Sequence, residues 1–248
     1  MIKANSYARK MGLFDLHVEL LRQSLKHFSI DKKAVQAFVD QQEQECSKRV
    51  DVVLAIDQDR PRDKIDDIFV KAEGNRLRRE IQHHVEFAEN KINQMEMVLR
   101  CAYFEAEMKN IHRHCLYAKP TLLKSDKKID LGRVVAKGGD TVVEEEIEHE
   151  VKKLDAESTR TRASYFKDTL NLDWGNPVMP EPKLRISHEA CVDAIDEVTK
   201  LRHKVVHEES DYVVSLDALQ KARSFYTFVP NCCAAQAVEI YPSQFEEK

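Results

Sequence analysis

From Val85 to Cys115 the apolar residues of this chain recur at alternating steps of three and four. Val85, Ala88, Ile92, Met95, Leu99, Ala102 and Ala106 form one stripe, and Cys101, Phe104, Met108, Ile111 and Cys115 form its neighbour. That spacing is the period of an α-helix rather than of a strand. Two adjacent stripes predict a long central helix, from about Arg79 to Leu116, buried over a wide face. It is expected to end before Pro120, because a proline disfavours helical geometry in the residue ahead of it. Only six glycines and seven prolines punctuate 248 residues, so helices should dominate the rest as well.

A second helix is drawn by Cys191, Ala194, Val198, Leu201 and Val205, with Ser187 as its N-cap and Glu189 in the first turn, where the helix dipole favours an acid. A third starts after Ser215 through Leu216, Leu219, Ala222 and Tyr226 and is expected to stop or kink by Pro230, leaving a short tail. A less regular helix is expected from about Glu144 to Leu170, marked by Ile147, Val151, Leu154 and Tyr165. Four such helices imply an all-α bundle. The lysine-rich stretch from Lys119 to Asp140 reads as a long loop, and Asp173 to Pro177, continued by Pro180 and Pro182, as a second break. Leu13, Leu16 and Leu20, then Val35, Phe38 and Val39, place further helices in residues 1–78, an N-terminal extension packed on a core of residues 79–248.

Composition excludes some classes of function. The longest apolar runs, such as Val50 to Ile56 broken by Asp51, are far shorter than the ~20 residues that span a bilayer. Met1 to Gly12 has no apolar segment of the signal-peptide kind, which reads as a cytoplasmic product. The six cysteines form no CxxC and several fall on apolar helical positions, as reduced core thiols would. A net charge of -4 argues against generic polyanion binding. Charge is nevertheless segregated: Arg100 to Lys137 holds nine Lys/Arg against four acids, and Asp140 to Glu157 eight acids against two lysines. Such blocks are ordinarily solvated faces, and a phosphate-facing role is the alternative for the basic one.

Chemistry concentrates in Leu201-Arg202-His203-Lys204-Val205-Val206-His207-Glu208. Arginine offers a permanent planar charge to phosphate oxygens, and histidine is the side chain suited to proton transfer near neutrality. Together they could cleave RNA without a metal. His207 would take the proton of a 2'-hydroxyl that attacks the adjacent phosphorus, and Arg202 would stabilise charge on the phosphoryl oxygens, giving a 2',3'-cyclic phosphate and a 5'-hydroxyl.

This segment resembles the R-x4-6-H motif of the HEPN superfamily of helical toxin and antiviral defence domains. His203 fills the place directly after the arginine where that motif carries Asn, Asp or His. The motif closes a bundle helix and is followed by a linker and another helix, here Glu208 to Val214 and then Ser215 onward. The resemblance covers roughly Arg79 to Pro230. It implies a four-helix HEPN-like bundle, an endoribonuclease of toxin or abortive-infection type needing no cofactor, catalytic Arg202, His203 and His207, and a homodimer whose site is composite. An antitoxin or defence-system partner is implied with it. Arg22 with His27, Arg78 with His83 and Arg79 with His84 also satisfy R-x4-H. They lack the His after the Arg and the position late in a core helix. Glu209 stands where some nuclease members carry a tyrosine.

Residues five apart on a helix are separated by about 140°, so arginine's reach, a frayed end or a partner subunit must bring Arg202 to His207. The plainer alternative pairs Arg202 with Asp196 and leaves both histidines solvated at a helix end. Glu105 is a possible auxiliary from a facing helix, and Lys204, Lys109 and Arg113, with Lys119, are candidate RNA-facing cations. Trp174 and Tyr165 could stack on a base or pack a loop. His203 and His207, spaced i,i+4, could ligate a metal only with a third group such as Glu208 or Asp211, so no metal is expected. His112 and His114 read as solvated residues near a helix end. A non-catalytic HEPN-like module binding a nucleotide, RNA or protein is the alternative function.

Overall fold

The computed structural model describes residues 4–30, 32–56, 64–123, 131–175, 186–207 and 212–242. Their regular elements are all helices, with no strand among the described residues. In chain order the α-helices are α1 (Ala4–Ile30), α2 (Lys32–Ile56), α3 (Lys64–Ala118), α4 (Leu131–Lys137), α5 (Gly139–Asp155), α6 (Thr159–Asp168), α7 (His188–His207) and α8 (Leu216–Ile240). None of them is long and apolar enough to cross a membrane.

The chain forms two compact units, one of residues 16–93 and the other of residues 1–15 with 94–248. In the first, Val39 is fully buried and Gly74 lies so close to Glu43 that a β-carbon there would meet its carboxylate at 1.8 Å. Arg22 donates to Asn93 at 2.7 Å.

The second unit carries the motif. Its core joins Cys101, Phe104, Met108, Ile111 and Cys115 of α3 to Phe166 of α6, Cys191, Ile195 and Val198 of α7, and Leu219, Ala222, Tyr226 and Cys233 of α8. The expected second stripe of α3 is therefore buried. The first is not: Met95 and Leu99 are 42% and 38% exposed, and Ala102 and Ala106 are not part of that core. What lies inside instead is charge. Glu96 is wholly buried and accepts from Arg100 Nε at 2.8 Å and from Arg223 Nε and Nη2 at 2.7 and 3.0 Å. Arg100 also pairs with Asp15 of α1 and lies over the Phe14 ring. An apolar-pattern reading assigns charges to solvent, and a paired set of this kind escapes it.

Other boundaries moved for local reasons. The helix α3 begins at Lys64, before the expected Arg79, and ends as expected ahead of a 3₁₀ turn at Pro120–Leu122. The single helix expected over 144–170 is two, because Ser158 caps α6 by accepting from Thr161 N at 3.2 Å. A side chain that satisfies the backbone in this way competes with helix continuation. The Lys119 to Asp140 loop contains α4. Ser187 and Ser215 cap α7 and α8 as the sequence suggests, accepting from Ala190 N at 3.1 Å and Ala218 N at 3.2 Å. The helix α8, however, runs past Pro230 to Ile240. Burial of Cys233, Ala234 and Ala237, the bonds between Gln236 and the Asp173 backbone, and the Tyr241 hydroxyl donating to Leu170 O at 3.0 Å hold the last turns in place. The prolines at 177, 180 and 182 lie outside the described residues.

Candidate functional site

Arg202, His203, Lys204 and His207 occupy the last two turns of α7. Val198 faces the core and Leu201 and Val205 pack against its edge, so the polar positions between them are carried outward. His203, Lys204 and His207 are exposed, and Arg202 is half-buried. His203 and His207 meet across one turn, their ring centroids 4.6 Å apart and their planes tilted by 45°. Thus the i,i+4 histidines converge with each other. Arg202 stands about 140° round the helix from His207, and its Nε is buried.

Arg202 shares one feature with Arg100, Arg162 and Trp174, a buried side-chain nitrogen left unbonded. Its Nε is buried and has no hydrogen-bond partner among the described residues. Asp196, the acid that could have neutralised it, is held by Lys200 at 2.8 Å. The arginines of the other R-x4-H pairs are engaged: Arg22 with Asn93, Arg78 with Asn75 and Glu43, and Arg79 with the Asn75 carbonyl. A buried polar atom without a partner is uncommon and costly, so its presence calls for a reason.

Behind Arg202 lies a polar seam that the sequence reading missed. Thr199, one turn ahead of it on α7, is 3.2 Å from the Tyr226 hydroxyl of α8, and Cys101 Sγ of α3 is 3.6 Å from Glu105 Oε1. Burial, chiefly, and the Glu105 charge push the Cys101 thiol up to about 11, while Tyr226 and Arg202 pull the other way. Glu105 of α3 and Arg202 of α7 thus act in opposite directions on one thiol. Tyr226 and Cys101 read in the sequence only as members of apolar stripes, so nothing marked them as polar partners. Glu105 also lines a small open cleft with Lys109, His112, Asp155 and Arg162.

The basic and acidic blocks meet each other. Arg113 is clasped by both carboxylate oxygens of Glu148, at 2.5 and 3.1 Å, and Lys109 is 2.8 Å from Asp155. Arg133 reaches Glu145 and Glu146, and Lys137 reaches Glu145. Pairing of this kind accounts for the charge segregation without invoking phosphate. Lys204 remains as the exposed cation of the motif turn, and Lys119 is exposed at the end of α3.

Of the two roles open to Trp174 the structure shows packing against the core, and the expectation for His112 needs correction. Trp174 is 1% exposed, edge-on to Phe104 and Phe166, and is unable to stack on a base. His112 is not solvated: it is 1% exposed, 3.2 Å from the Tyr165 hydroxyl, and held neutral, its pKa lowered to about 4 by burial and by Arg113 beside it. The bond to His112 and the edge-on packing of its ring likewise engage Tyr165. Among the described residues no three His, Cys, Asp or Glu side chains are grouped to hold a metal. Glu208, Glu209 and Asp211 lie outside the described residues. No family model matches the chain, and no curated protein or solved structure is significantly similar to it.

Proposed function

We propose that this chain is a metal-independent endoribonuclease with a four-helix bundle of HEPN type, in which Arg202 binds the scissile phosphate and His207 removes the 2'-hydroxyl proton. The supporting observation is the half-buried Arg202, its Nε without a partner, on the same terminal turns as two exposed imidazoles. A half-exposed guanidinium that no carboxylate holds is open to another anion, and a phosphodiester matches its fork. The reaction forms the O2'–P bond and breaks the P–O5' bond. The reading extends to a cytoplasmic toxin or abortive-infection effector that acts as a homodimer, with an antitoxin or defence partner.

Pairing of Lys109 and Arg113 with acids favours a compact contact at the motif turn over a broad RNA-binding surface. The same pairing supports a second reading, a helical module that binds a nucleotide or a protein without cutting. Purified wild type and His207→Ala, incubated with total RNA in excess EDTA, separate the two. Loss of cutting in the variant alone, with cyclic phosphate ends, supports the nuclease. Equal cutting by both points to a contaminant and overturns it.

A further inference from the structure

A cavity of about 360 Å³ lies where α3, α6 and α8 end. Ala118 is the last residue of α3, Thr169 caps the end of α6, and Ile240 and Tyr241 are the last residue and the cap of α8; all four line it. At 1.5 Å per residue, the 25 residues of α8 place the cavity about 36 Å from Leu216, where the segment after the motif enters that helix. No residue of the proposed nuclease site borders it. We propose that this cavity binds an aliphatic amine, a primary ammonium carried on a chain of methylenes. The proposal is independent of the nuclease reading.

A helix C-terminus carries partial negative charge and carbonyl oxygens that its own ladder leaves unsatisfied, so a basic side chain is favoured in its last turn. Three such ends meet here, and the ordinary counter-charges are missing or engaged elsewhere. The last turns of α3 and α8 hold no basic residue. Lys167 of α6 lies 3.9 Å from the carboxylates of both Asp173 and Glu189. The Thr169 hydroxyl and the Asn171 amide oxygen supply further acceptors for N–H groups. No carboxylate is found among the described residues of the lining, which is unlike the sites that hold Mg²⁺ or Ca²⁺. The volume is in the range of small-molecule sites and far above the roughly 30 Å³ of one water. Ala118, Leu122 and Ile240 offer an apolar wall to methylenes. The Tyr241 hydroxyl donates to Leu170 O at 3.0 Å, which ties the end of α8 to the segment leaving α6 before any ligand arrives. Lys119, exposed, is the one basic group among the described lining residues, and its ammonium competes with the ligand.

Calorimetric titration of the full chain with putrescine, at physiological ionic strength, tests the assignment. The wild type should show one saturable site per chain. Ile240→Lys brings a tethered ammonium to the cavity and should abolish binding, whereas Ile240→Gln, which adds no charge, should bind as the wild type does. Lys119→Met removes the competing cation and should bind about two- to fivefold more tightly, the range of an exposed charge interaction. Thermal midpoints of the unliganded variants report whether each is folded. Absence of binding by the wild type, the same behaviour in both Ile240 variants, weaker binding by Lys119→Met, or displacement of the amine by Mg²⁺ at matched ionic strength overturns the proposal.

Discussion

Asp196 is bound by Lys200, one turn along α7, with its carboxylate 2.8 Å from the ammonium group and not shared with Arg202. Helical pairs of this spacing are worth only a few tenths of a kcal/mol. Their effect here is to decide which cation of the helix stays unneutralised.

Arg202→Ala should therefore remove activity without removing stability. Loss of a donor aimed at transition-state charge costs about 10²–10³-fold in rate, and Arg202→Lys should recover little of it, because an ammonium cannot reproduce the planar fork. Since the lost Nε has no partner, urea midpoints of both variants should match the wild type. A large fall in midpoint would make Arg202 a structural residue.

Glu96 is the opposite case. It is fully buried and holds two arginines, so Glu96→Ala leaves Arg100, itself 2% exposed, without a carboxylate from its own helix. Removing one member of a buried pair costs about 3–5 kcal/mol. Denaturation by urea at neutral pH reads this directly, and a loss below about 1 kcal/mol would mean that water replaces the carboxylate.

His112 makes stability fall in mild acid. Its folded pKa is lowered to about 4 from an ordinary 6.5, by burial first and Arg113 second. Between those values the unfolded chain binds a proton that the folded chain refuses, so stability is complete above about 6.5 and declines as pH drops toward 4. The size is on the order of 3 kcal/mol at most. Comparing wild type with His112→Gln from pH 7.5 to 4.5 should show a shallower decline in the variant. Parallel curves would assign the acid sensitivity to other groups.

Gly175 sits at the entry to α7, where an added β-carbon would lie 2.3 Å from His188 N and from Ser187 C. These are backbone atoms that cannot rotate aside. Gly175→Ala is expected to cost about 2–3 kcal/mol, at the upper range for overpacking, with a matching fall in the thermal midpoint. An unchanged midpoint would show that the corner yields.

Much of the architecture was readable because it depends on local rules. Ser187 and Ser215 announce helix starts through a side-chain oxygen that needs only the next turn. The stripe Cys101, Phe104, Met108 is buried because one face of α3 meets the core. What escaped depends on partners distant in sequence. Met95 and Leu99 have the same period as the buried stripe, yet they stay well exposed. Arg113 reads as a cation open to phosphate until Glu148 is brought to it from α5. At the site, the placement of Arg202, His203 and His207 on one helix end followed from the sequence, whereas Thr199, Tyr226 and Cys101 needed three helices to come together first.

Pro230 has no amide hydrogen to give to the Tyr226 carbonyl one turn earlier, so α8 is two ladders of backbone bonds joined at that residue. Helices flex where a rung is missing. Tyr226 is also the residue whose hydroxyl grips Thr199, three positions before Arg202. The missing rung of α8 and the bond that ties α8 to the motif helix thus fall within one turn of each other.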